Sequence, residues 1–230
     1  MRNEKRVRQN PYKGRLATAF LVLLLPACHS SPGSIPGGNR RETIQKKEAL
    51  LYDYREIRSA RQSVKDGDLI LRTGNDFTSL SLRLFSRKDK TYSHAGIASV
   101  EDGKVYVYHA IGGEDNPNEK LRKDRFEVFC NPRTNLGFGI YRYDFSALIH
   151  QRLDSIIKKY YQEEIPFDMQ FDLKTDDRMY CAEFVYKSVI RASRDTNYLP
   201  VSHLHQFAYV ATDNLFLNIH AKEICRIHFK

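Results

Sequence analysis

Hydrophobic side chains recur along this chain at two spacings, one typical of strands and one typical of helices. Short runs rich in Val, Ile, Leu and Tyr predict strands, because such side chains suit a half-buried sheet. These runs cover 69–72, 94–100, 105–110, 125–129 and 139–143. Apolar residues three or four apart predict amphipathic helices at 42–64, 77–85, 147–164 and 181–192. The pattern therefore predicts one α+β domain at 65–230, preceded by the helix at 42–64.

Turn signals and the C-terminal region complete this outline. Asp102-Gly103 separates two strand-like runs and predicts a hairpin. The pattern after residue 200 is weaker and predicts a helix over 203–211, then strand-like segments around 215–220 and 223–229.

The first 27 residues predict export from the cytoplasm. A basic stretch is followed by about ten apolar residues, too few to span a bilayer but typical of a signal peptide. The stretch ends in Leu25-Pro26-Ala27-Cys28, which resembles the lipobox of bacterial lipoproteins. We therefore expect a lipoprotein signal peptide at 1–27 and lipidation of Cys28. An ordinary signal peptide, or an uncleaved anchor with a chance cysteine, remains the alternative.

The residues after Cys28 predict a membrane tether. The segment 28–41 is rich in Ser, Pro and Gly and predicts a flexible link between membrane and domain. Several acyl chains on one cysteine would give stable anchoring. His29 follows the cysteine where lipoproteins retained in the inner membrane typically carry Asp. By that resemblance we expect a lipid-anchored protein of the bacterial cell envelope, at the outer membrane and facing the periplasm.

The charge distribution disfavours nucleic acid as a partner. The formal net charge of the 230 residues is +9. Residues 1–27 contain six basic residues and one acidic residue, which leaves a net charge of only +4 on the other 203 residues. No basic block or nucleic-acid-binding motif accompanies that charge.

The cysteine count draws attention to one thiol. With Cys28 lipidated, Cys130, Cys181 and Cys225 form an odd set in an oxidising compartment. Cys130 and Cys225 could pair, although sequence alone does not establish that disulfide. Such a pair would leave Cys181 free.

Cys181 has the surroundings of a candidate nucleophile. It falls at the predicted start of a helix, where the helix dipole favours a thiolate, so we expect a lowered pKa. A catalytic thiol also needs a base and a group that orients the base. His94 begins an apolar strand and His109 lies on the next strand, so they are the candidates for these roles. The alternative is a buried cysteine that only fills space.

Three ordered motifs resemble those of a known family. They are Gly67-Asp68-Leu69-Ile70, Ser93-His94-Ala95-Gly96-Ile97 and Tyr180-Cys181-Ala182-Glu183-Phe184-Val185-Tyr186. Their order and spacing resemble those of the YiiX/YaeF-like group, circularly permuted relatives of the NlpC-type papain-like amidases. The resemblance covers about residues 65–192.

This resemblance implies a fold and an activity. The fold would be a permuted papain-like one, with an antiparallel sheet packed against the helix that carries the nucleophile. Cys181 would be the nucleophile, His94 the general base and His109 the polar third member. The substrate would be an amide in a peptide or a cell-wall peptide stem, cleaved through a thioester.

Two other functions remain open, and no cofactor is predicted. One is a lipid acyl hydrolase or acyltransferase of the lecithin:retinol acyltransferase type, and the other is a non-enzymatic binding lipoprotein. No cluster has zinc-ligand spacing, and the acidic run at 168–177 lacks the Gly and terminal Glu of a calcium-binding EF-hand loop. The sequence does not indicate the oligomeric state.

Overall fold

The computed structural model describes residues 40–112 and 116–230. These described residues form one compact unit. The predicted signal peptide, Cys28 and nearly all of the predicted tether lie outside the described residues. Within them, no helix combines the length and the apolar character that crossing a membrane requires.

The described residues form an antiparallel sheet flanked by helices. The helices are α1 (Arg40–Arg61), α2 (Phe77–Arg83), α3 (Phe126–Phe129), α4 (Ala147–Gln162), α5 (Cys181–Ser193) and α6 (Thr212–Phe216). The strands are β1 (Leu69–Gly74), β2 (His94–Glu101), β3 (Lys104–His109), β4 (Arg122–Arg125), β5 (Asn135–Tyr143), β6 (Ser202–Leu204), β7 (Phe207–Tyr209) and β8 (Ala221–His228). Six strands form one sheet in the order β4-β3-β2-β1-β5-β8, and each neighbouring pair is antiparallel.

Side chains alternate between two cores, one on each face of the sheet. In β1, Leu69 and Leu71 enter the core beneath α4 and α5, while Ile70 between them enters the core beneath α1 and α3. Helix α5 packs against β2. Ile57 of α1 is fully buried in the second core, so α1 lies on the face opposite α5. The structure therefore confirms the predicted α+β class and the antiparallel sheet that packs against the helix beginning at Cys181.

The segment 125–129 is not the predicted strand. Strand β4 ends at Arg125, and α3 follows at once. The single helical turn places Phe126 and Phe129 on the same side, and both are buried in the core beneath α1. A four-residue segment is too short to show a reliable periodicity, so its pattern also fitted a strand.

The C-terminal region also differs from the prediction. The predicted helix over 203–211 is a short hairpin of β6 and β7. Its turn includes His205, whose φ of 56° lies in the left-handed region and interrupts any helix. Helix α6 covers 212–216, where a strand-like segment was predicted around 215–220. The strand-like segment predicted around 223–229 is confirmed as β8, which pairs with β5.

An ion pair joins the end of α1 to the sheet. The guanidinium of Arg142 donates two hydrogen bonds to the carboxylate of Asp68, each of 2.7 Å. The same guanidinium donates to the carbonyl oxygen of Ser63, at 2.8 Å. The Asp68 side chain is fully buried, so the pair fixes β1 and β5 beside the segment that follows α1.

Candidate active site

The start of α5 is held in place by its own side chains. Cys181 is the first residue of this helix, and Tyr180 is the N-cap. The backbone N–H of Tyr180 donates to the Glu183 carboxylate at 3.2 Å. Glu183 also pairs with Lys187, at 2.7 Å, and the backbone N–H of Val210 donates to the Tyr180 hydroxyl, at 2.8 Å. Glu183 therefore stabilises the helix start that presents the thiol.

Two histidines and a carboxylate form a hydrogen-bonded series beside that helix start. Nε2 of His94 lies 2.9 Å from Nδ1 of His109. Nε2 of His109 lies 3.1 Å from an oxygen of Asp124. Both histidines are buried. The series runs across three adjacent strands, because His94 begins β2, His109 ends β3 and Asp124 lies on β4.

The direction of the hydrogen bonds assigns the tautomers. A carboxylate only accepts hydrogen bonds, so Nε2 of His109 carries the proton that it donates to Asp124. Nδ1 of the neutral His109 is then an acceptor, and the proton between the two rings belongs to Nε2 of His94. Nδ1 of His94 consequently keeps its lone pair and is the unprotonated nitrogen at the open end of the series.

The thiol lies next to the backbone beside His94. The backbone N–H groups of Ala95 and Ala182 act to lower the pKa of the thiol. Burial has the larger, opposite effect, so the pKa of Cys181 is raised above its ordinary value. The prediction that the helix dipole lowers the pKa of Cys181 is therefore wrong. Burial removes the thiolate from water, and this cost is larger than the stabilisation of the thiolate by the helix start and by a nearby cation.

That cation is Arg72. In the β1–β2 register Arg72 stands opposite His94. It donates to the side-chain oxygen of Asn135 at 2.7 Å, and its guanidinium carbon lies 5.1 Å from the centre of the Phe129 ring. Its positive charge acts to lower the pKa of both Cys181 and His94, so it favours a thiolate and disfavours an imidazolium.

The two histidines rest in the neutral state. Burial, reinforced by Arg72 and His109, holds the pKa of His94 well below its ordinary value. Burial also lowers the pKa of His109, although the hydrogen bond to Asp124 opposes that effect. The hydrogen bond from His109 lowers the pKa of Asp124, which stays ionised. The resting site thus contains a neutral thiol beside a neutral imidazole, with an anion at the far end of the series.

Cys181 and His94 line the same cleft. The cleft has a volume of about 610 Å³. Its polar lining includes Arg72 and Arg122, while Phe167, Met169 and Phe171 form an apolar wall. A smaller apolar recess adjoins it and shares Cys181, so the thiol lies between the two spaces.

The structure brings together the three predicted site residues and adds two. Cys181 and His94 face the cleft, and His109 lies behind His94. Sequence reasoning missed Asp124, because the strand was predicted to begin only at residue 125. It also missed Arg72. A charged residue on the same strand face as the apolar Ile70 could have drawn attention to this position.

The other two cysteines of the domain are not bridged. Cys130, Cys181 and Cys225 are free thiols, so the possible disulfide between Cys130 and Cys225 is not formed. Across residues 40–112 and 116–230, no group of three or more His, Cys, Asp or Glu side chains is arranged to hold a metal ion.

Comparison with known proteins identifies the fold. No protein-family model matches the chain, and no curated protein matches it. The structure is similar to the crystal structure of the metalloprotein YiiX from Escherichia coli O157:H7, with a TM-score of 0.59 and 19% sequence identity. The match covers 71% of this chain and 98% of YiiX. The chain therefore has a YiiX-like fold, and at the level of the fold the predicted resemblance is confirmed.

Proposed function

We propose that this protein is a cysteine hydrolase with a permuted papain-like site, which cleaves an amide bond in a peptide or a cell-wall peptide stem. The observation that carries the proposal is the series from Asp124 through His109 to His94, whose last member lines the same cleft as Cys181. A structural histidine pair needs neither a cleft nor a thiol. Here the tautomers leave a lone pair on Nδ1 of His94, and His94 lines the same cleft as the thiol.

The first chemical step forms a thioester. Because thiol and imidazole are both neutral at rest, Nδ1 of His94 takes the proton as the sulfur attacks the carbonyl carbon. The positive charge that develops on His94 is stabilised through His109 by Asp124. We assign stabilisation of the oxyanion to the backbone N–H of Cys181 at the helix start. Collapse of the intermediate breaks the C–N bond, and His94 returns the proton to the leaving amine.

The second step regenerates the enzyme. Nδ1 of His94 accepts a proton from a water molecule, whose oxygen attacks the thioester carbonyl. The C–S bond then breaks, the acid leaves, and the proton on His94 returns to the sulfur of Cys181. Arg72 favours the sulfur as a leaving thiolate in this step.

YiiX is a metalloprotein, which raises the question of a metal in this chain. Here both nitrogens of His109 and Nε2 of His94 are used within the series that ends at Asp124. Only one nitrogen of these two histidines, Nδ1 of His94, remains outside the series. These donors therefore do not fit a metal site, and no step of the mechanism uses a metal.

A lipid substrate is the second candidate. Acyl transfer from a phospholipid to Cys181 would use the same groups as amide cleavage. The apolar helix α2 at the edge of the cleft favours this alternative, since Phe77 and Leu82 line the cleft. A purely binding lipoprotein would have no need for the ordered proton path behind His94.

The proposed location follows from the N-terminal residues. We propose that Cys28 is lipidated after removal of residues 1–27 and anchors the protein at the outer membrane, facing the periplasm. In cells, Cys28→Ser should then yield an unprocessed or soluble protein. A protein processed and still membrane-integrated after this substitution would contradict the assignment.

Acyl-enzyme trapping tests the activity. The full chain is incubated with p-nitrophenyl acetate, and the acylated residue is identified by mass spectrometry of the peptide that contains Cys181. We expect acetylation of wild-type protein and none at this peptide in Cys181→Ala or His94→Ala. Acetylation unchanged in His94→Ala would overturn the proposal. Peptide p-nitroanilides and phosphatidylglycerol vesicles then distinguish amide from lipid acyl substrates.

A further inference from the structure

An exposed apolar surface lies on the segment that follows β1. The rim surface, as we call it, consists of Phe77, Leu80, Leu84 and Phe85. The exposed fractions are 82% for Phe77, 54% for Leu80 and 65% for Leu84. No residue of α2 is buried. Single exposed apolar side chains are common, but four within nine residues indicate an interaction site.

The rim surface is continuous with the cleft. Phe77 and Leu82 line the cleft, so α2 forms part of its wall. Phe85 stacks on Phe171, with ring centres 5.8 Å apart, and meets Tyr209 edge-on at 6.0 Å. A partner bound to the rim surface would therefore cover the mouth of the cleft.

The segment after α2 is fastened to the domain. The backbone N–H groups of Arg87 and Lys88 both donate to the carboxylate of Asp213, at 2.9 and 2.8 Å. The hydroxyl groups of Ser86 and Thr212 lie 3.1 Å apart. These hydrogen bonds fix the segment that carries the rim surface, so a partner can bind there without local unfolding.

Basic residues accompany the apolar ones. Between residues 76 and 90 the four basic residues are Arg83, Arg87, Lys88 and Lys90, and the two acidic ones are Asp76 and Asp89. The Asp76 carboxylate accepts hydrogen bonds from Ser79, and Asp89 pairs with Arg226. Lys88 and Lys90 are exposed. The surface therefore combines apolar side chains with positive charge, as membrane-surface segments do.

We propose that the rim surface inserts into an anionic lipid surface, with the basic residues at the headgroups and the cleft opening onto the lipid. A second copy of the chain fits less well, because a self-complementary contact would bring the same cations together. Lipid insertion needs neither the catalytic groups nor lipidation of Cys28. It is a second contact with the membrane, made by the domain itself.

The absence of tryptophan from the chain makes a direct test possible. The sequence contains no Trp, so Phe77→Trp introduces a single fluorophore into the full chain. Leu148→Trp is the matched control, because Leu148 is also exposed. It lies near the start of α4, whose His150 packs on Gly67 at the opposite end of β1 from α2. Both variants carry the same N-terminal segment before α1, so any membrane contact made by that segment is common to both.

The readout is tryptophan fluorescence with vesicles of phosphatidylglycerol and phosphatidylcholine in equal amounts. We expect Phe77→Trp to shift to shorter wavelength and to be quenched by brominated acyl chains, whereas Leu148→Trp changes little. An unshifted Phe77→Trp, or equal quenching of both, would overturn the proposal. A concentration-dependent dimer that Phe77→Ser abolishes, without lipid quenching, would assign the surface to a second copy.

Charge variants test the electrostatic part. Each basic residue near an anionic surface strengthens binding about fivefold. Replacing both Lys88 and Lys90 by Gln in the Phe77→Trp protein should therefore raise the lipid concentration at which the shift is half-maximal about 25-fold. The matched control replaces Lys65 and Lys104, exposed at the other end of the sheet, and should leave the shift unchanged. Equal effects of the two double substitutions would contradict insertion at the rim surface.

Discussion

Asp124 is the residue whose replacement tests the proposed mechanism most sharply. In Asp124→Asn the amide has the shape of the carboxylate and its oxygen can still accept the hydrogen bond from His109. What disappears is the negative charge at the end of the series. We expect this loss to disfavour the imidazolium form of His94, and with it the transfer of the proton from Cys181.

The size of the effect follows from the geometry. The series contains hydrogen bonds of 3.1 Å and 2.9 Å on either side of the His109 ring. With the width of one ring added, the carboxylate lies roughly 8 Å from Nε2 of His94, and at an effective dielectric constant of about 20 the attraction is about 2 kcal/mol. This energy corresponds to a loss of about 30-fold in the population of the reactive thiolate–imidazolium pair.

Alkylation by iodoacetamide measures that loss without knowledge of the substrate. The rate at the Cys181 peptide is followed by mass spectrometry near neutral pH, which separates it from reaction at Cys130 and Cys225. We expect Asp124→Asn to slow the reaction about 30-fold, since the thiolate is the nucleophile. Asp102→Asn, in the turn between β2 and β3, is the control with the same chemical change. An unchanged rate in Asp124→Asn, or an equal loss in the control, would refute the reasoning.

Three further predictions concern the cation, the histidines and the ion pair beneath the sheet. Arg72→Gln removes a charge that favours the thiolate, so the pH at which Cys181 alkylation accelerates should rise; a profile that coincides with that of wild type would contradict this role. The pKa values of His94 and His109 are lowered by burial, so the unfolded chain binds more protons below about pH 6.5. The free energy of unfolding should therefore fall as the pH drops below that value, by up to about 1.4 kcal/mol per pH unit for each histidine. Urea titrations at about pH 7.5 and about pH 5.5 measure this fall. Equal stability at the two pH values would show that the pair is protonated in the native state. Arg142→Leu leaves the fully buried carboxylate of Asp68 without its partner. It should lower the free energy of unfolding, measured by urea titration, by about 3 kcal/mol. A loss below about 1 kcal/mol would contradict a stabilising role for the pair.

The longer elements were predictable because their patterns repeat. Helices α4 and α5 begin at the predicted residues 147 and 181 and end within two residues of the predicted ends. The segments that failed are short. At 126–129 and after residue 200, a few apolar residues fit helix and strand equally well, and tertiary packing makes the choice.

The sequence by itself determined the α+β class, the ordered motifs around Asp68, His94 and Cys181, and the candidates for nucleophile, base and third member. Tertiary structure alone decided what surrounds them. Asp124 reaches the site only because β4 pairs with β3, and Arg72 only because β1 aligns with β2. The sign of the Cys181 pKa shift was also decided there, because burial depends on what packs around the helix start, whereas the dipole depends on the helix alone.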